Sequence, residues 1–132
     1  MSREEMDRAL KTHFVPALRQ RGFKGSLPHF RRLRDNQVDL ITIQFDRHGG
    51  GFVVEIASWS VEGLTTHWGK FIPALKLTAH DLHPNQRYRL GSPGPSTDNW
   101  FRFDREVSPT AVAERLLQHL DEAERWWSAR SS

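Results

Sequence analysis

The spacing of hydrophobic residues changes along the chain, and the changes mark its elements. From about Ser2 to Arg21, Met6, Leu10, Phe14, Ala17 and Leu18 recur at helical intervals. Ser2 and Glu5 have the spacing of a capping box, and Gly22 is a suitable stop. Pro16 lies inside this pattern. An interior proline removes a hydrogen bond, so a bend or break is expected there.

From Pro28 to Ala57 the period becomes two. A two-residue turn at Asp35-Asn36 sets Arg34 opposite Gln37, Arg32 opposite Asp39, Phe30 opposite Ile41 and His29 opposite Thr42. Pairing Phe45 with Phe52 across the glycine loop then sets Ile43 opposite Val54, Thr42 opposite Glu55 and Ile41 opposite Ile56. Both steps gather Phe30, Ile41, Ile43, Phe45, Phe52, Val54 and Ile56 on one face, as expected of a sheet covered by helices. The opposite face carries His29, Arg31, Thr42, Gln44 and Glu55 with a few aliphatics, and is expected to be wetter.

Between residues 59 and 83 the pattern is weaker. Leu64, Trp68, Phe71 and Leu75 have helical spacing broken by Gly69 and Pro73, which predicts one short, irregular helix. Arg87 to Leu90 and Trp100 to Arg105 read as short strands joined by the turn-rich stretch from Gly91 to Asp98, together a second hairpin. The final helix starts at the N-cap Ser108 with Pro109 in its first turn, and Val112, Leu116, Leu117, Leu120, Ala123 and Trp127 form its apolar stripe. The expected class is α+β, an antiparallel meander sheet plus a second hairpin, flanked by N-terminal and C-terminal helices in a single domain over residues 1–132.

Composition narrows the chemistry. With 132 residues, 37% of them hydrophobic, the chain suits one core. The absence of cysteine excludes disulfides, cysteine-ligated metals and a thiol nucleophile. No stretch approaches the roughly 20 apolar residues of a membrane span, and Met1-Ser-Arg-Glu-Glu leads into no signal-peptide core. A bacterial-type cytoplasmic protein, with no membrane partner, is the expectation.

The net charge of +3 hides an asymmetry. Eight basic residues and no acid lie between Arg8 and Arg34, while the rest of the chain carries 11 basic and 16 acidic residues.

The order of local features is informative as well. A helix ending in Arg21-Gly22-Phe23-Lys24, then His29-Phe30-Arg31-Arg32, a Gln44-containing strand, Phe52-Val53-Val54, Arg87-Tyr88-Arg89-Leu90-Gly91 and Asp98-Asn99-Trp100-Phe101 follow one another. This order resembles domain-of-unknown-function family 4304 over nearly the whole chain. The resemblance implies a compact bacterial α+β domain and brings no established activity, cofactor or catalytic residue.

Four constellations offer chemistry. Lys and Arg interleaved with Phe14, Phe23 and Phe30 is one signature of nucleic-acid binding, although the phenylalanines also suit a core. Local pairing leaves Arg19, Arg21, Lys24, Arg31 and Arg34 as a candidate anion-binding set. The register puts His29, Thr42 and Glu55 side by side, a polar row able to serve acid–base work or simply to face water. Arg87, Arg89, Asp98 and Trp100 form a neighbouring candidate pocket, since arginine clamps carboxylate or phosphate. Trp126 and Trp127 are adjacent on a helix and cannot both face one stripe, which marks them as a candidate interface.

Other motifs fail on spacing. His80 and His83 stand three apart, but Pro84 follows at once and no HExxH pattern is present, so no metal is expected. Gly49-Gly50-Gly51 is followed by neither Lys-Ser/Thr nor a helix, and no serine sits in a nucleophile elbow. No cofactor is expected. These readings favour a non-enzymatic intracellular protein-binding module of adaptor or immunity type. Nucleic-acid or polyanion binding, and a small enzyme using a His/Glu or Arg-lined surface, are the alternatives.

Overall fold

The computed structural model describes residues 3–47, 49–91, 100–103 and 108–130. The chain begins with α1 (Arg3–Ala9), a π-helical turn (Leu10–Phe14) and α2 (Val15–Gln20). The interruption expected at Pro16 takes the form of that π turn. The Val15 N–H reaches back to the Leu10 carbonyl, and the proline falls in the first turn of α2, where its missing N–H is tolerated. Gly22, at φ +91°, ends the helix through bonds from the Gly22 and Phe23 N–H groups to Arg19 and Leu18. The capping box expected at Ser2 lies outside the described residues.

β1 (Lys24–Ser26), β2 (His29–Arg34), β3 (Gln37–Phe45) and β4 (Gly51–Ser60) form an antiparallel meander. The observed register matches the one deduced from the two turns, including His29 opposite Thr42, Thr42 opposite Glu55 and Phe45 opposite Phe52. Asp35 takes φ 50° in the first turn, a left-handed conformation that aspartate tolerates better than most residues.

β5 (Leu64–Thr65) and β6 (Phe71–Ile72) make a small hairpin of their own. Three short 3₁₀ turns follow, at Ala74–Lys76, Ala79–Asp81 and Pro84–Gln86. The single helix expected over residues 59–83 is therefore wrong. Gly63 and Gly69 both take positive φ and Pro73 is extended, so the helical spacing of Leu64, Trp68, Phe71 and Leu75 never becomes a helical face.

A second correction concerns β7 (Tyr88–Arg89) and β8 (Phe101–Arg102). They do not pair with each other. Both add to the outer edge of β4, β7 at Glu55 and Ile56 and β8 at Gly51 and Phe52, so the second hairpin of the fold is β5–β6 instead.

The C-terminal stripe forms as expected but on two helices, α3 (Pro109–Leu117) and α4 (Leu120–Ser128). Short bonds from the Gln118 and His119 N–H groups to Arg115 and Leu116 tighten the chain between them. Ser108 accepts the Ala111 N–H as N-cap.

The helices cover one face of the sheet, burying Met6, Phe14, Phe30, Ile41, Phe52 and Trp127 in the main core. The other face is drier than expected. Segment 62–87 lies over it, and Ala74, Leu77, Ala79 and Leu82 close a smaller core on Val38, Leu40 and Ala57. The sheet is thus the middle of three layers, which gives two faces on which polar groups are held at fixed spacing.

Candidate functional site

The polar row on the covered face is built by register. His29, Thr42, Glu55 and Arg89 occupy successive strands β2, β3, β4 and β7. His29 Nδ1 and the Thr42 hydroxyl, itself buried, are 2.9 Å apart. Burial, and then the nearby His80 and Arg31, holds the His29 imidazole below its usual pKa, which favours the neutral ring.

Glu55 is 7% exposed and collects cations from the covering segment. His80 Nε2 is 3.1 Å from Oε1, Arg87 Nη1 donates to the same oxygen at 3.4 Å, and Arg89 stands 4.0 Å from Oε2. Arg87 also donates to the carbonyls of Leu82 and His80. One guanidinium therefore fastens the covering segment to the sheet, and the Glu55 charge is shared among three partners.

His29 and His80 stand edge to face, with ring centroids 6.2 Å apart, beside a cleft of about 340 Å³ walled by Leu27, Pro28, Ile43 and Phe45. His80 was not part of the row read from the sequence. A register argument reaches only strands, whereas His80 arrives on a 3₁₀ turn. Arg87 and Arg89 do join Glu55, Trp100 lies apart from them beside Arg102, and Asp98 lies outside the described residues.

The five cations that lacked local partners are distributed differently. Arg19 donates to the Phe23 and Gly25 carbonyls, Arg31 to the Leu77 carbonyl, and Arg21 to Glu124 at 3.1 Å. Arg34 Nε lies 2.8 Å from Asp39. The partners of Arg19, Arg21 and Arg31 are backbone or distant in sequence, which charge pairing along the chain misses, and Arg34 shares Asp39, which the register sets opposite Arg32. Lys24 is exposed on β1.

On the helix face Asp39 is fully buried and receives Arg32 through Nε at 2.9 Å and Nη2 at 2.7 Å. The same Arg32 reaches Glu124 on α4 at 2.7 Å and stacks over Phe23. Burial works to raise the Glu124 carboxyl, but the bonds and charges of Arg32 and then Arg21 outweigh it and hold the group below its ordinary value.

Trp127 belongs to this core. It is fully buried, and its indole N–H donates to the Ala57 carbonyl, so it presents nothing to a partner. Trp126 is half-buried, stacked on Tyr88 and capped by Arg130 at 3.6 Å. Tyr88 donates to Glu122, which also takes His119 and the Gly91 N–H, and the phenol is pushed up to about 12 chiefly by that hydrogen bond.

Among the described residues the large apolar side chains left exposed are Leu33, Trp68, Phe71 and Leu75. Leu33 and Leu75 line a groove of about 220 Å³ with Gly22, Lys24 and Arg31. Among the described residues no cluster of three or more His, Asp or Glu side chains is placed to hold a metal. His83 accepts from the Asn85 N–H within its own turn while His80 faces Glu55. No helix of the described residues is long and apolar enough to cross a membrane.

These features define an α+β protein whose antiparallel sheet carries helices on one face and an irregular covering segment on the other. The chain matches the family model described as domain of unknown function DUF4304 over residues 14–130, and it belongs to that family. No curated protein and no solved structure matches it.

Proposed function

We propose that the protein is a non-enzymatic protein-binding module that engages an acidic, amphipathic segment of another protein. The observation that carries this reading is the exposure of Leu33, Trp68, Phe71 and Leu75 in a chain whose other large apolar side chains, among the described residues, are at least partly covered. Large apolar groups held in solvent mark interaction surfaces. Three of the four lie on the covering segment, and the fourth faces it across the groove.

Charge selects the partner. Lys24 and Arg31 flank the groove, with Lys70 and Lys76 exposed on the same segment, so acidic side chains beside apolar anchors complement it. The surface thereby moves from the Trp126/Trp127 end of α4 to the covering segment, because Trp127 is committed to the core.

The test uses a synthetic amphipathic helix with Leu and Phe on one face and Glu on the other, and a second in which every Glu is Lys. The acidic peptide binds in a salt-sensitive manner and the basic one does not. Leu33→Ser with Leu75→Ser weakens binding about tenfold or more, as loss of two anchors should, without altering the circular dichroism spectrum. Equal binding of both peptides, indifference to the double substitution, or a wild-type dimer that the substitution dissociates would falsify the reading.

A further inference from the structure

A second cleft, of about 370 Å³, opens at the end of the sheet on the side of α4, away from the apolar groove. Arg34, Asn36, Ser58, Ser60 and Arg130 line it, with Asp35 at the turn. Ser58 and Ser60 are two apart on β4 and therefore share a face. Arg34 enters from β2, and Arg130 enters from the chain beyond α4.

Arg34 is under-satisfied. Its Nε is 2.8 Å from Asp39 Oδ2, yet neither Nε nor Nη2 has an aligned hydrogen-bond acceptor, although both are buried. Asp39 Oδ2 already accepts two bonds from Arg32, and Gln37 takes the other oxygen. Arg34 thus shares its one carboxylate, among the described residues, with a better aligned guanidinium. Nε and Nη2 form the buried edge of the guanidinium, so what the 33% exposed side chain offers the cleft is its remaining nitrogen, Nη1.

We propose that this cleft binds a phosphate group, either as the free ion or on a small organic ester. Arg34 Nη1, the Arg130 nitrogens not bonded to the Trp126 carbonyl, two serine hydroxyls and the Asn36 amide offer more donors than the two oxygens of a carboxylate can occupy, whereas a phosphate presents enough acceptors for all of them. Asp35 is the opposing charge, and it sits on the turn where a bound anion would meet it. The site is independent of the protein-binding reading, since it shares no residue with the Leu33–Leu75 groove.

Calorimetric titration with inorganic phosphate, phenyl phosphate and benzoate tests it. Both phosphates bind, and benzoate is about tenfold weaker or worse, the loss expected for one charge-assisted hydrogen bond. A tighter grip on phenyl phosphate than on inorganic phosphate identifies the ester as the ligand, and the reverse identifies the free ion. Arg130→Gln and Ser58→Ala each weaken phosphate binding several-fold, and Asp35→Asn strengthens it. All three positions are at the surface or partly exposed, so their unfolding midpoints report whether the fold is intact. Benzoate binding as tightly as phosphate, no phosphate binding by the folded protein, or unchanged affinity in folded Arg130→Gln overturns the proposal.

Discussion

Asp39 and Glu55 are both buried carboxylates on neighbouring strands, and each ties a different layer to the sheet. Asp39 faces the helices. Its main partner Arg32 is 12% exposed, packed on Phe23, and continued to Glu124 on α4. Glu55 faces the covering segment, where His80, Arg87 and Arg89 are 33%, 16% and 26% exposed. The chemistry is the same, but the surroundings differ. On the helix side the ion pairs are shielded by aromatic rings and join regular elements. On the other side they hold a segment of two-residue strands and 3₁₀ turns, leaving imidazoles beside an open cleft. Coulombic attraction strengthens as water is excluded, and so does the penalty for losing one partner.

The largest expected effect is therefore on the helix side. Asp39→Ala leaves Arg34 without its carboxylate and Arg32 with Glu124 alone, and should cost about 3–5 kcal/mol in denaturant unfolding, a large part of the stability of a protein of this size. Glu55→Ala should cost less, about 1–3 kcal/mol, because its cations can turn towards water. Its signature is local, with faster amide exchange at Leu77 and Leu82 and unchanged exchange in α3 and α4. Equal cost for both substitutions, or a global rise in exchange for Glu55→Ala, would remove the distinction between the two faces.

A smaller effect separates the two faces by pH. Glu122 and Glu124 on α4 are both held below their ordinary value of 4.5, despite burial that pushes the other way, by Tyr88 and His119 in one case and Arg32 and Arg21 in the other. The stability they contribute is present above the ordinary value and lost as pH falls through the lower folded values. Acid should thus loosen α4, read as lost protection of its amides below pH 4.5. His29 adds in the same direction on the opposite face. Its lowered pKa means that the unfolded chain takes up a proton first as pH falls below 6.5.

The smallest effect is also the most specific. Tyr88 is the single tyrosine of the chain, so tyrosinate absorbance reports it alone. The midpoint should fall at about 12 in the folded protein and return towards 10 in Glu122→Gln. The stabilisation from this bond is complete below 10 and lost as pH rises through about 12. A wild-type midpoint near 10 would show that the Glu122 contact does not hold in solution.

The meander is legible because strand alternation and turn length together fix register, and a slip of one residue would turn Phe30, Ile41 and Ile43 away from the helices. The same rule placed His29, Thr42 and Glu55 in one row. It could not supply the His80–Glu55 and Arg32–Glu124 pairs, which join residues 25 and 92 positions apart, nor Arg87's carbonyl contacts, which are made within irregular chain. Segment 59–83 forms no α-helix, although the spacing of its apolar residues predicts one, because that spacing carries no helical information when glycine and proline interrupt the backbone.

The sequence by itself determined the α+β class, the register of β2, β3 and β4 and the identity of the core stripe, all of which depend on periodicity within continuous elements. Only the tertiary structure decided which charges are spent internally and which face solvent. It gave four of the five locally unpaired cations carbonyl or carboxylate partners, and it buried Trp127. It also left Leu33 and Leu75 exposed across one groove. Pairing of charges and exposure of single side chains depend on distances between layers, and no local pattern encodes those distances.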